Sequence, residues 1–489
     1  MDDRILNQEN RKASEAIFQD AIRIGLDFKL KDKIRDKEID EAKSREIMLA
    51  PLPLESQKVT DVLDEFVNEI MPYSYNFASP TFMGFPDAGN SVGAITGSIL
   101  SDFLQQNLIN QSFCSPSGTF VEMAVLNWLR QVVGYHAVEP EDVFGAGGIV
   151  TTGGTSSNGI AMMLARENLR SHTMKNGVEG DYYLIVPEGI GHYSVKSAQM
   201  WLGCGNKLLE VPTVDFRYDL KALEETLVKY KGSIMAVVAY AGDSRTMTVD
   251  HLDEIVKIRD AIDPNIWLHA DAAHGFSLGF SQTLRKKIAG IEKFDSITTD
   301  PHKVMNIPYT ISALLVKDPQ SMTMIASQSD LIMKERYAFG QVTPFIGSKS
   351  WLSLKLWFAM KSIGINGYGK IIDDRHALAL ELQKLIEDAP DFMSLNRVDI
   401  NSVVFMYTGK SLERSIQKLN KVNEAIHDRI VAEGVFHVHQ FTIPDSGFIK
   451  KGAILQPMRY MNGNPNTNVK HLKALLAYIR QIAQEVAGE

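Results

Sequence analysis

The sequence is short of cysteine, of clustered basic charge and of long apolar runs, and each shortage excludes something. Two cysteines, Cys114 and Cys204, occur in 489 residues. They are too few for a disulfide framework and lack the close spacing of zinc ligands, so both read as buried free thiols in a reducing compartment. The formal net charge is -8 and there is no basic block, which argues against nucleic acid as a partner. No uninterrupted apolar run reaches membrane-spanning length. The opening MDDRILNQENRK is charged where a secretory signal has its apolar core. A cytoplasmic protein without membrane contact is the expectation. Internal repeats and low-complexity segments are also absent. What is there, 45% apolar residues with 35 Gly and 18 Pro, is ordinary globular composition with room for a large core and more than one domain.

Residues 14–30 carry Ile17, Ala21, Ile24 and Phe28 at helical spacing, and residues 60–70 repeat the pattern with Val62, Phe66 and Ile70. This predicts an N-terminal helical arm that needs another surface for its apolar stripe, on its own domain or on a partner subunit. Residues 71–90, MPYSYNFASPTFMGFPDAGN, have neither helical nor strand period. They read as a packed surface loop or as a pocket wall. Helical patterns follow at 91–108 and 120–133, broken by Ser115-Pro116-Ser117.

A strand-like run at 149–152 then enters Gly153-Gly154-Thr155-Ser156-Ser157-Asn158, with a helix predicted over 159–168. Glycines followed by hydroxyls at a helix start offer free N–H groups and side-chain donors to a phosphate. A plain Ser/Thr N-cap is the alternative. The segment lacks the lysine of a Walker loop and the third glycine of a dinucleotide fingerprint. Strands predicted at 182–186, 207–211, 234–240 and 266–270 alternate with helices at 220–229 and 251–261. Continuous apolar strands between helices mean a mostly parallel sheet covered on both faces, with ligands at its carboxyl edge. His192, Ser244 and Asp271 fall at that edge. So does Lys303, in Asp300-Pro301-His302-Lys303 between strand-like runs at 294–299 and 310–316.

Each of these residues has a bland reading. Lys303 could snorkel its amine to the surface, Asp271 could cap a helix, and His192 could be a satisfied core histidine. Together at one edge, beside a phosphate cradle, they suggest pyridoxal phosphate. Lys303 is then the amine that captures the cofactor aldehyde. Asp271 pairs with the pyridinium nitrogen, His192 stacks on the ring, Ser244 reaches the phenolic oxygen, and Thr155, Ser156 and Ser157 take the phosphate. Ala273 and His302, beside Asp271 and Lys303, complete the cofactor set. Beyond a patternless polar stretch at 328–347, helices are predicted at 351–363 and 373–389, separated by Gly364-Ile365-Asn366-Gly367. A smaller α+β unit follows, with strands at 402–407 and 453–457 and helices at 412–433 and 469–486.

With these residues the chain resembles the group II pyridoxal-phosphate-dependent amino acid decarboxylases, which include the aromatic amino acid, tyrosine and glutamate enzymes. The motifs that carry the resemblance are TTGGTSSN, GHYSVKSA at His192, HADAAHG at Asp271, DPHK at Lys303, LKLW at 354–357 and SPTFMGF at 79–85. They follow the family's order across about residues 55–470. The resemblance implies an α/β, type I aminotransferase-like fold: a helical arm and pocket loop at 1–90, a large cofactor-binding domain at 91–370 and a small C-terminal domain at 371–489. It implies a homodimer with active sites shared across the interface. It assigns Arg459 to the substrate carboxylate and gives the role of proton donor to Tyr337, in the family's catalytic loop, or to a relay through His192. The departures are Asp243 where the family has a hydroxyl, His274 in place of Tyr or Trp, and Asp87 in the pocket loop. The implied reaction is loss of carbon dioxide from an L-amino acid to leave a primary amine. An aromatic, tyrosine-like substrate is favoured by Phe82, Phe85 and His274, and the DPHK…Pro308-Tyr309 form looks most like bacterial tyrosine decarboxylases. Asp87 and Asp243 favour instead a substrate with an amine or several hydroxyls. Another carbon–carbon lyase, an oxidative deaminase making an aldehyde, and a non-catalytic relative are the alternatives.

Overall fold

The apolar runs between residues 148 and 316 assemble into one seven-stranded sheet in the computed structural model, which describes residues 5–330, 332–333, 335–409 and 415–487. Its strands are β1 Gly148–Thr151, β2 Tyr183–Pro187, β3 Leu208–Val211, β4 Ile234–Tyr240, β5 Trp267–Asp271, β6 Ser296–Thr299 and β7 Ser312–Val316. The order is β1-β7-β6-β5-β4-β2-β3. β4, β5, β6 and β7 are buried at every position, as strands covered on both faces must be. Only β7 runs against its neighbours. Its amino end therefore lies at the carboxyl edge of the other six, which brings Tyr309 and Thr310 to the edge that binds ligands.

The helix Gly154–Leu169 begins five residues earlier than predicted. The glycine–hydroxyl run is its first turn rather than a loop before it, because a first turn tolerates residues whose N–H groups have no partner. The two helices predicted around residue 364 are one element, Ser353–Glu387, broken where Gly364 takes φ 69°, a value that suits glycine.

A second sheet follows, β8 Phe392–Ser394, β9 Ser402–Tyr407, β10 His439–Gln440 and β11 Met458–Met461, in the antiparallel order β8-β9-β11-β10. The strand predicted at 453–457 shrinks to Ile454–Leu455, and β11 begins beyond Pro457. A proline has no N–H to give the ladder. The helices Ile416–Glu433 and Val469–Ala487 are present; the first was predicted from residue 412, and 410–414 lie outside the described residues. Each sheet has its own apolar core, one built mainly from residues between Ala94 and Ile372, the other mainly from residues between Ala379 and Ala483. The N-terminal helix Arg11–Lys29 buries no residue and leaves Phe18, Ile22 and Leu26 exposed. Among the described residues no helix is long and apolar enough to cross a membrane.

One buried carboxyl makes stability depend on pH. Asp250 accepts N–H bonds from His251 and Tyr218 on Oδ1, while Oδ2 has no partner. Burial pushes this carboxyl up to about 7. The unfolded chain releases the same proton near 4, so the native state binds more protons between those values and loses stability as pH rises through them. Asp250→Asn is expected to melt higher than wild type at pH 8, by about 2 kcal/mol of stability, and to flatten melting temperature against pH between 4 and 7. A variant less stable than wild type at pH 8 contradicts this.

Candidate active site

Five parallel strands deliver polar residues to one edge, and these line a cavity of about 240 Å³. β1 leads to Gly153, Gly154 and Thr155, β2 to His192, β4 to Ser244, β5 to Asp271, Ala273 and His274, and β6 to Asp300, His302 and Lys303. Tyr309 and Thr310 enter ahead of β7.

Lys303 Nζ is 3.0 Å from Asp300 Oδ2. Burial works against the ammonium, but the carboxylates of Asp300, Asp271 and Asp87 outweigh it and hold Lys303 above its ordinary value. Burial also opposes ionisation of Asp300, yet Lys303 and His302 keep it below the usual carboxylate range. His302 is fixed by its Nδ1, 2.6 Å from the Ile311 carbonyl.

Asp271 is held from behind by a buried relay of side chains. Asn158 Nδ2 donates to Asp271 Oδ2 at 2.9 Å and to Ser194 Oγ at 2.8 Å. Its Oδ1 accepts from Thr298 Oγ1 at 2.7 Å and lies 3.0 Å from His269 Nε2. His269 Nδ1 lies 2.8 Å from Ser296 Oγ, which also accepts from Trp267 Nε1. Since Asn158 gives both amide protons away, its oxygen must receive, so His269 carries its proton on Nε2. Burial pushes His269 down to about 4, so the imidazole stays neutral in a relay that ends on the Asp271 carboxyl. The branch through Ser194 reaches His192, whose Nδ1 is 2.6 Å from that hydroxyl. Burial holds His192 below its ordinary value, against the pull of Asp271.

The sequence reading missed Asn158, His269 and Asp300. Period-two alternation puts His269 on the face of β5 that carries Asp271, and Asn158 is a polar residue in an otherwise apolar helical run, so both left a signal. Other predicted residues land elsewhere. Ser157 is buried with its hydroxyl 2.8 Å from that of Thr151. Neither it nor Ser156 lines the cavity, because the helix turns them away once it starts at Gly154. Phe82 is buried, stacked between Phe77 and His437, and belongs to the packing. Asp243 is fully buried and accepts from the N–H groups of Arg245, Thr246 and Thr248. It staples a turn and offers a substrate nothing. Tyr337 packs edge-on against Phe120 and does not line the cavity. Asp87 is buried near Lys303 and His302, with Oδ1 lacking a partner, and burial raises its carboxyl. His274 lines the cavity with both ring nitrogens unpartnered, and burial drives it well below its ordinary value.

Arg459 and Phe85 wall a neighbouring cavity with His192 and Ser244. The guanidinium donates to the carbonyls of Ser244 and Gly84, leaving Nε free. Burial lowers it to about 10.

The residues present fit pyridoxal phosphate. The hydroxyl of Thr155 and the first N–H groups of the Gly154 helix face the cavity for a phosphate, Asp271 offers a buttressed carboxylate for a ring nitrogen, and Lys303 an amine. When bound, the cofactor supplies a sink for the electron pair left as carbon dioxide departs. With it bound, Asp271 would face the ring nitrogen, His192 would lie over the ring, and Lys303 Nζ would meet the aldehyde.

The comparisons agree. Residues 43–408 match the family described as the pyridoxal-dependent decarboxylase conserved domain. An aromatic-L-amino-acid decarboxylase of Bacillus atrophaeus is 24% identical over 94% of this chain and 92% of its own. An L-2,4-diaminobutyrate decarboxylase of Acinetobacter baumannii is 28% identical over 78% of this chain and 76% of its own. Among solved structures, mouse CSAD in apo form superposes with a TM-score of 0.86 at 23% identity, covering 97% of this chain and 99% of that one. Oryza sativa TDC with PLP and tryptamine gives 0.85 at 18% identity, covering 99% and 100%. With the type I fold, the lysine and its buttressed aspartate in one cavity, the chain belongs to the pyridoxal-dependent decarboxylase family and is a pyridoxal-phosphate-dependent amino acid decarboxylase.

Proposed function

We propose that the substrate is an L-amino acid with an aromatic side chain, converted to carbon dioxide and the primary amine. The observation that carries this is the cavity beside His192. It measures about 500 Å³ and is walled by Phe85, Tyr193, His439 and Phe441. Arg459 lies 5.8 Å from the Phe85 ring and 5.5 Å from the Phe441 ring. Lys196 and Arg245 line the cavity too; its aromatic walls suit an aromatic ring, and Arg459 among them suits a carboxylate. Thr155, Ala273 and His302 join Asp271, Ser244 and Lys303 as cofactor contacts in this reading, with His192 stacked above. His274 and Asp87 border the substrate.

Asp87 supports a second reading, a side chain bearing an amine, because a buried carboxylate with a free oxygen attracts a cation. Asp87, Asp271 and Asp300 around Lys303 disfavour an acidic side chain there, whereas Lys196 and Arg245 in the neighbouring cavity would suit one, so L-aspartate belongs in the test. The relatives act, by name, on aromatic, diamino and acidic substrates, so the site must decide.

Tyr337 is the proton donor in this proposal and reaches the site from a partner subunit. A homodimer is supported by the arm, whose Phe18, Ile22, Leu26, Val59, Val62 and Phe66 are each 40–52% exposed, an apolar face that a second copy would cover. The division near residue 370 is supported by the two separate cores. A cytoplasmic location is supported by two free cysteines.

Product analysis tests the proposal. The cofactor-loaded protein is given L-tyrosine, L-phenylalanine, L-tryptophan, L-2,4-diaminobutyrate and L-aspartate, and carbon dioxide, amine, aldehyde and ammonia are measured. Turnover of the aromatic substrates at least ~10-fold above the others is expected, because several methylenes' worth of apolar contact are at stake. Preference for diaminobutyrate selects the second reading, and aldehyde with ammonia would replace simple decarboxylation.

A further inference from the structure

Asp300 has no part in the chemistry above, yet it occupies a commanding place. Its carboxylate lies against the first turn of the Gly154 helix, where a side chain on Gly154 would start 2.9 Å from both Oδ1 and Oδ2. Ser312 Oγ donates to Oδ1 at 2.5 Å. Lys303 Nζ is 3.0 Å from Oδ2, and His302 Nε2 is 4.0 Å away. The other titratable groups that feel its charge are Asp87, His192 and Tyr309. So the group at the mouth of an anion cradle is itself an anion. Lys303 is the only lysine or arginine among the residues lining this cavity, and Asp300 already engages it. A phosphate entering the cradle finds no free lysine or arginine among the described residues that line it, and a like charge alongside.

We propose that Asp300 limits the affinity of the site for the phosphate of its cofactor. It sets a fixed carboxylate against the helix N-terminus on which a phosphate would draw. Binding must separate the Asp300–Lys303 pair and set two anions side by side. The cofactor is then held loosely and exchanges with the surrounding pool. This rests on the family's cofactor occupying this cavity, and sulfate binding reads the cradle separately from it.

The test uses the full-length, cofactor-free protein, with sulfate, pyridoxal phosphate and phosphate-free pyridoxal titrated calorimetrically into wild type, Asp300→Asn and Asp300→Ser. Circular dichroism checks folding. At pH 8 both variants are expected to bind sulfate at least ~10-fold tighter than wild type, the effect of removing one like charge at contact distance. Pyridoxal phosphate gains more than pyridoxal does. Sulfate binding unchanged or weaker in the folded variants overturns the proposal and leaves Asp300 as a prop for the glycine turn. Wild type alone gives a second reading. Three charge-assisted hydrogen bonds to an unopposed phosphate would favour pyridoxal phosphate over pyridoxal by about 10³-fold or more. A smaller ratio supports the proposal, and a ratio at or above that overturns it even if neither variant folds.

Discussion

Lys303→Ala is expected to lower decarboxylation by at least ~10³-fold, since it removes the amine proposed to bond the cofactor aldehyde, the one lysine among the described residues that line the cavity. Lost activity alone would not separate chemistry from folding, so the same variant carries a second expectation. In wild type the ammonium lies 3.0 Å from Asp300, whose side chain is 5% exposed. Removing it leaves Asp300 beside Asp87 and Asp271 with only His302, 4.0 Å away, to oppose them, and burial then drives the Asp300 carboxyl upward. The sign follows from proton counts. The wild-type carboxyl is depressed, so its pairing stabilises the protein above the unfolded value and fades only as pH falls through the folded one. In the variant the carboxyl is raised, and the native state loses stability as pH rises. Cofactor-free Lys303→Ala should therefore melt lower than wild type at pH 8, by about 2 kcal/mol, a value reduced because the lysine itself is 30% exposed. The gap should narrow toward pH 5. Adding Asp300→Asn should recover most of the loss in stability and none of the activity. A stability difference that does not change with pH would mean that the Asp300–Lys303 pair contributes nothing to the empty site.

How much of this was legible in the chain depends on the distance over which each feature is specified. The parallel strands announced themselves because doubly covered strands are continuous apolar runs, and strand ends placed His192, Ser244, Asp271 and Lys303 at one edge. The direction of β7 was not written locally. Its apolar run is compatible with either sense, and the twelve residues from β6, 300–311, are long enough for either one. Hence Tyr309, quoted only as part of a motif, and Thr310 were not assigned to the cavity that they line. The Thr155-Ser156-Ser157 run read as three equivalent phosphate donors, but helical rotation of 100° per residue allows only the first to face the cavity. Asp243 looked like a substrate contact because an acid stood where the family has a hydroxyl. Its four acceptor bonds come from the turn that follows it, an arrangement open to any Asp or Asn ahead of a tight turn. Phe82 and Phe85 share a motif and differ by three residues, yet one is sealed between rings and the other borders a cavity. Composition cannot separate them.

The second large effect lies away from the cavity and was invisible in the sequence. Glu122 and Lys349, 227 residues apart, form an ion pair of 2.9 Å with side-chain exposures of 0% and 4%. Glu122 also accepts the N–H of Val150 on β1, at 3.2 Å, and Lys349 stands 5.7 Å over the Phe339 ring. The pair thus joins the helix Gly118–Val132, the edge strand that leads into the phosphate cradle, and the segment ahead of the helix Ser353–Glu387. Two charges this deep cost several kcal/mol each to desolvate and stabilise the fold only while both are present. Lys349→Met keeps the stem's bulk and strands a buried carboxylate, so it should destabilise by about 3–5 kcal/mol, read as a lower guanidinium midpoint. Glu122→Gln with Lys349→Met should recover more than half of that, because an amide can still accept from Val150 and no charge is left unpaired. The coupling reaches function through β1: in Lys349→Met the cradle at Gly154 loses part of its anchor, and sulfate or cofactor affinity should fall with stability. Equal midpoints for wild type and Lys349→Met would mean that water reaches Glu122 and that the pair contributes no more than a surface one.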